Sequence, residues 1–134
     1  MKYLCLIYDG ESKRGTMPKQ QLDAMMGEYG AFTEGIRKSG QYIGGEPLQP
    51  TQTATMVRVR QGKISTTDGP FAETKEQLGG FYLINATDLN EAIQVSSRIP
   101  SARTASIGVR PIMVFDARLG VPEGRLILTK KRQG

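Results

Sequence analysis

Asp68 opens the one stretch of this chain whose residue types and spacing look arranged for chemistry: Asp68-Gly69-Pro70-Phe71, then Ala72 to Gln77, Leu78 and the pair Gly79-Gly80. Gly69 and Pro70 force the backbone out of regular structure, and Phe71 can shield the neighbouring carboxylate from water. A carboxyl so desolvated gains proton affinity and can take a proton from, or return one to, a small substrate. Arg110 is the complementary cation, its planar fork suited to a substrate carboxylate or enolate oxygen. Tyr8 and Tyr82 can orient a ligand, and Gly79 and Gly80 let backbone come close to one. Each assignment has a plainer rival. Asp68 at the head of a Gly-Pro turn can accept the following N–H groups and serve as an ionised brace. Arg110 can pair with Glu73, Glu76 or Asp68, and turn or bulge geometry alone would call for the glycines.

The chain contains no histidine and a single cysteine, Cys5. Ser-His-Asp and Cys-His catalysis, histidine-rich metal sites and thiolate metal cages are therefore excluded, as is an intrachain disulfide. Any chemistry here is expected to run without metal or organic cofactor. Cys5 lies among Leu4, Leu6 and Ile7, where a small buried hydrophobe is the ordinary role.

The net charge of +5 is local. Arg118, Arg125, Lys130, Lys131 and Arg132 against Glu123 make 117–134 basic and leave 1–116 nearly neutral. Lys130-Lys131-Arg132 is too short for a dedicated nucleic-acid arm, so nucleic acid is not the expected partner. No run is apolar for long enough to be a signal peptide or a membrane span, and a cytoplasmic protein is expected.

These groups need a scaffold, and 134 residues make one domain with room for a core. Lys2 to Tyr8 reads as a strand buried on both faces and ended by Asp9-Gly10. Pro18 suits the first turn of a helix with the apolar stripe Leu22, Met25, Met26, Tyr29, Phe32, Ile36, which runs to Gly40 and is expected to pack on a sheet, the methionines as core filler. Gly27 and Gly30 imply close packing or tolerated slack. Gly44 to Pro50 reads as a loop. Ala54 to Arg60 alternates like a half-buried strand, turns at Gln61-Gly62, and returns over Lys63 to Thr67. Leu78 to Ala86 is a further strand whose glycine pair implies a bulge or a very close approach. Asp88 and Glu91 spell a capping box for a helix stopping at Pro100, and Ser106 to Phe115 is the last core strand. The order strand, helix, hairpin, strand, helix, strand predicts an α+β, ferredoxin-like βαββαβ sandwich with an extra hairpin. Residues 117–134 form a basic extension in which Leu126 to Thr129 is β-prone and expected to dock as an edge strand near a subunit contact.

Four blocks in order, Lys2 to Tyr8, Gly44 to Pro50 with Thr53-Ala54-Thr55, Asp68 to Phe71, and Val109-Arg110-Pro111, resemble the DGPF-domain branch of the YCII-related family over residues 1 to about 115. The resemblance implies a homodimer of the dimeric α+β barrel kind, with sheets face to face and pockets between them. It permits a lyase or isomerase working by proton transfer on a small, anionic molecule. It equally permits a ligand-sensing or protein-binding accessory module associated with alternative sigma factors. The wider family includes members in which a histidine pairs with a pocket aspartate. Asp68 matches that aspartate, but the histidine is missing here. Gly108 stands where the pattern commonly has an acid.

Overall fold

Alternation along β1 (Lys2–Asp9) decides which way the sheet faces: Tyr3, Cys5 and Ile7 are buried, while Leu4, Leu6 and Tyr8 are half-buried on the opposite side. A computed structural model describes residues 1–69, 75–116 and 121–122 of the chain. After β1 come α1 (Glu11–Thr16), α2 (Lys19–Lys38), β2 (Tyr42–Pro47), a 3₁₀ turn over Thr51–Thr53, and the hairpin β3 (Thr55–Arg60) and β4 (Lys63–Asp68). β5 (Gln77–Asn85), α3 (Leu89–Ser96), a 3₁₀ turn over Pro100–Arg103 and β6 (Ser106–Pro111) follow, then the two-residue strands β7 (Phe115–Asp116) and β8 (Val121–Pro122).

The main sheet has the order β2-β5-β1-β6, all neighbours antiparallel. With α2 crossing from β1 to β2 and α3 from β5 to β6, this is the ferredoxin-like α+β arrangement. The β3–β4 hairpin is inserted between β2 and β5 as a separate two-stranded sheet. Its turn has positive φ at Gln61 (52°) and Gly62 (76°), the I′ geometry that matches strand twist.

The helix-side core gathers Tyr3, Cys5 and Ile7 with Ile36, Tyr82, Ile84, Ala92, Val95 and Ile99. Ile84 is wholly buried, worth about 1.5–3 kcal/mol by burial alone. Asp88 caps α3 by accepting from Glu91 N at 2.9 Å. The Glu91 carboxylate returns to Thr87 N at 3.1 Å, one residue before the position a standard capping box would use.

Three expectations need correction, and one helix is additional to them. Gly44 to Pro47 is not loop but most of β2, hidden because Gly, Glu and Pro are poor strand formers on propensity alone. Residues 11–16 form a helix, anchored where Glu11 accepts from Thr51 N and Thr51 Oγ1, each at 2.8 Å. The last core strand stops at Pro111 rather than Phe115. In β3 the apolar side is the exposed one: Val57, Val59 and, across from it in β4, Ile64 face solvent. Gly27 and Gly30 have open space where a Cβ would sit, so slack, not close packing, explains them. No described helix is long and apolar enough to cross a membrane.

Candidate functional site

The stripe on α2 divides in two. Ile36 is buried against the sheet and Phe32 packs on the core, but Leu22 and Met25 are only half-buried and Met26 is 64% exposed. The methionines are therefore not core filler. With Leu22 they form one wall of a cleft of about 290 Å³ whose other wall is the β2–β5 end of the sheet.

Two glycines make that second wall thin. A Cβ on Gly80 would lie 2.9 Å from the Glu46 carbonyl oxygen, and one on Gly45 would lie 2.8 Å from the Phe81 carbonyl oxygen. β2 and β5 therefore approach more closely than side chains would permit at these positions. The pairing of β1 with β5 slips between Ile7 and Tyr8, leaving Gly79 as the extra residue of a bulge. Both features anticipated for the glycine pair are present, one on each glycine.

Three hydroxyl groups of the cleft, those of Tyr29, Thr33 and Tyr82, belong to two hydrogen-bonded chains that run on into the protein. Thr33 Oγ1 donates to the Tyr29 carbonyl at 2.9 Å and lies 2.6 Å from the Tyr82 hydroxyl. Tyr29 hydroxyl lies 2.5 Å from Ser101 Oγ, and Ser101 Oγ donates to Asp9 Oδ2 at 3.4 Å. Asp9 Oδ1 in turn accepts from Gly10 N at 2.8 Å. Phe32 and Tyr42 meet the Tyr82 ring edge-on at 5.1 and 6.3 Å. Burial pushes the Tyr82 phenol up from its ordinary value. Tyr82 is consequently a neutral phenol at physiological pH.

Of the residues singled out in sequence, Tyr82, Gly79 and Gly80 border this cleft. Tyr8 and Arg110 do not, because they lie on the opposite face of the sheet: Tyr8 is in phase with Leu6, and Arg110 pairs with Leu4. The ring of Tyr8 comes within 3.4 Å of where a Cβ on Gly108 would be, so Tyr8 fills the space opened there. Asp68 is exposed at the end of β4. Gly69 has φ of 87°, and its N–H donates to the Ala54 carbonyl at 2.7 Å. That N–H is thus taken by the backbone across the hairpin instead of by an Asp68 brace, and Pro70 has none to offer. Phe71 and Glu73 lie outside the described residues, as does Leu126 to Thr129.

Tyr29, Thr33, Ser101 and Asp9 were missed in sequence. Tyr29 and Thr33 sit four apart on the stripe face, a signal that was available. Nothing local connects Ser101 to Asp9. A second hollow of about 270 Å³ lies beside Asp9, Glu11 and Gln77, where Glu11 is engaged by Thr51. A wider groove of about 550 Å³ between α2 and the chain after α3 is rimmed by the exposed pair Arg103–Glu28 at 2.6 Å. Among the described residues no three His, Cys, Asp or Glu side chains gather in a way that could hold a metal ion.

A family model described as the YCII-related domain matches residues 1–116. The chain is also similar to an uncharacterised protein of Rhizobium meliloti (strain 1021), 35% identical over 117 residues, covering 86% of this chain and 94% of the relative.

Proposed function

This chain belongs to the YCII-related family, and from that premise we propose that it is a small-molecule-binding protein whose site is the cleft between α2 and the β2–β5 end of the sheet. The observation that carries the reading is the combination found there: an apolar wall of Leu22, Met25 and Met26 held open beside a few convergent hydroxyl groups. A neutral, buried phenol such as Tyr82 suits recognition better than proton transfer, because its acidity is weakened by burial. The protein is on this reading a ligand-sensing module.

The functional unit is a homodimer. Leu4, Leu6, Phe81 and Leu83 occupy the sheet face away from the helices, and Val57, Val59 and Ile64 occupy one side of the hairpin. Both surfaces are apolar, and a second copy is the simplest cover. Burial of the hairpin end would also desolvate Asp68, as acid–base work by that carboxylate requires. Isomerase- or lyase-like chemistry by Asp68, with Arg110 holding an anionic substrate on the open face, is the second reading, and the exposure of Asp68 makes it the weaker one.

Methyl-labelled methionine NMR with a library of small ring compounds tests this. Binders should shift the Met25 and Met26 methyls. Shifts confined to residues around Arg110 and Asp68 would move the assignment to the open sheet face, and binders that leave both methyls unmoved would end the cleft reading.

A further inference from the structure

The direction of the hydrogen bonds in the cleft restricts what it can hold. A hydroxyl carries one proton and can accept two hydrogen bonds. The proton of Thr33 is spent on the Tyr29 carbonyl at 2.9 Å. The 2.6 Å contact between Thr33 Oγ1 and the Tyr82 hydroxyl must then be made with the proton of Tyr82. On the other chain, the Ser101 proton goes to Asp9 Oδ2, a charged acceptor that outcompetes a phenol. The Tyr29 proton is therefore the one shared with Ser101. Three phenols line the cleft. The protons of Tyr29 and Tyr82 thus point away from any ligand and their oxygens keep lone pairs to offer, while Tyr42 lies on β2 with the Arg37 guanidinium 4.4 Å from its ring centroid.

We infer that the Tyr29–Tyr82 part of the cleft is an acceptor site, which favours small apolar ligands that bring a hydrogen-bond donor, such as an alcohol, a phenol or an aromatic N–H, over carboxylates and bare carbonyls. The inference rests on the cleft being the ligand site proposed above and names the ligand class that the site takes. A ligand that brings only acceptors meets oxygen lone pairs at Tyr29 and Tyr82. Turning either phenol round to donate would cost the hydrogen bond it already makes inside the protein. A carboxylate would also lose its hydration beside Leu22 and Met25 with no cation lining the cleft in return.

Isosteric pairs decide the matter. Indole and benzofuran differ in offering an N–H or only an acceptor oxygen, and benzyl alcohol and benzoate differ in donor and charge. Each is titrated against the full chain while the Met25 and Met26 methyls are followed. Indole should bind about tenfold more tightly than benzofuran, the worth of one net hydrogen bond, and benzoate should not reach the cleft. Thr33→Val keeps the shape but removes the acceptor of the Tyr82 proton, which then turns to the ligand. In that variant the preference for indole over benzofuran should vanish or reverse. Equal affinities of indole and benzofuran at the methionine methyls would overturn the acceptor inference while leaving the cleft as the binding site. No methyl shift with any of the four probes would overturn the cleft assignment and the inference together. Should Thr33→Val fail to fold, Tyr82→Phe serves: it deletes one acceptor, and an unchanged indole preference would count against Tyr82 as part of the site.

Discussion

Replacing Gly80 by alanine tests the geometry on which the cleft depends. The added Cβ would stand 2.9 Å from the Glu46 carbonyl oxygen and 3.2 Å from Pro47 Cα. Both neighbours are backbone, so no side chain can swing aside, and β2 must move outward by some tenths of an ångström. That movement also strains the adjoining hydrogen bond from Leu48 N to the Gly79 carbonyl, now 2.8 Å. Overpacking of this kind costs about 1–3 kcal/mol. The loss of unfolded-state freedom on going from glycine to alanine returns about 0.4–1 kcal/mol. The control is Gly79→Ala, where the new Cβ meets only the Ile7 carbonyl oxygen at 3.9 Å, an ordinary contact. It should be neutral or slightly stabilising. The two variants should thus differ by about 2 kcal/mol, or about 1 M in urea midpoint for a slope of about 2 kcal/mol/M. Both are measured at one fixed protein concentration, since association would add to apparent stability. Equal midpoints for the two variants would refute the reasoning, because β2 would then have room to spare at Gly80.

Asp88→Ala removes the cap on Glu91 N and should cost about 1 kcal/mol in urea unfolding; no change would mean that α3 is held by packing alone. Gly27→Ala and Gly30→Ala, both facing open space, should each stabilise by up to about 1 kcal/mol, and a lowered melting temperature would reveal a contact that the single chain does not contain. Burial raises the Cys5 thiol and the Tyr82 phenol above their ordinary values. As pH rises, the unfolded chain therefore sheds these protons first, so the stability they contribute is intact below about pH 8.5 and declines above it, the cysteine before the phenol. Urea midpoints should be nearly equal at pH 7 and 8.5 and lower at pH 10, and a midpoint at pH 10 equal to or above that at pH 7 would contradict it. On the proposed homodimer, Val59→Lys with Ile64→Lys should shift sedimentation from dimer to monomer, and truncation after Ala117 should lower the melting temperature if the extension docks at the same contact. An unchanged dimer in the first variant would remove the hairpin from the interface.

Residues near in sequence announced the elements whose causes are local. The strand from Lys2, the stripe on α2, the turn at Gln61-Gly62, the Asp88 cap and the bulge at Gly79 all follow from apolar runs, period, turn chemistry or missing side chains within a few positions, and the strand–helix order was enough to indicate a ferredoxin-like sheet. That β1 buries one face fully and the other only by half was not read from its apolar run. β2 escaped because its residues favour a strand only when β5 lies close enough to need Gly45 and Gly80 opposite its carbonyls. The burial of β3 was misjudged because period two says that two faces differ, without saying which face finds a partner.

The cleft was legible only in fragments. Sequence marked Tyr82, Gly79 and Gly80 as binding residues and placed Tyr8 and Arg110 beside them, but one-residue alternation across the sheet puts Tyr8 and Arg110 on the far side. Composition by itself excluded histidine chemistry and a thiolate metal cage, since no fold can supply residues that the chain lacks. Tertiary structure decided which hydroxyls meet: Thr33 with Tyr82, and Ser101 with Tyr29 and Asp9, are joined across 49, 72 and 92 positions. Hydrogen bonds over such distances depend on how helix and sheet pack, and no local pattern in the chain encodes them.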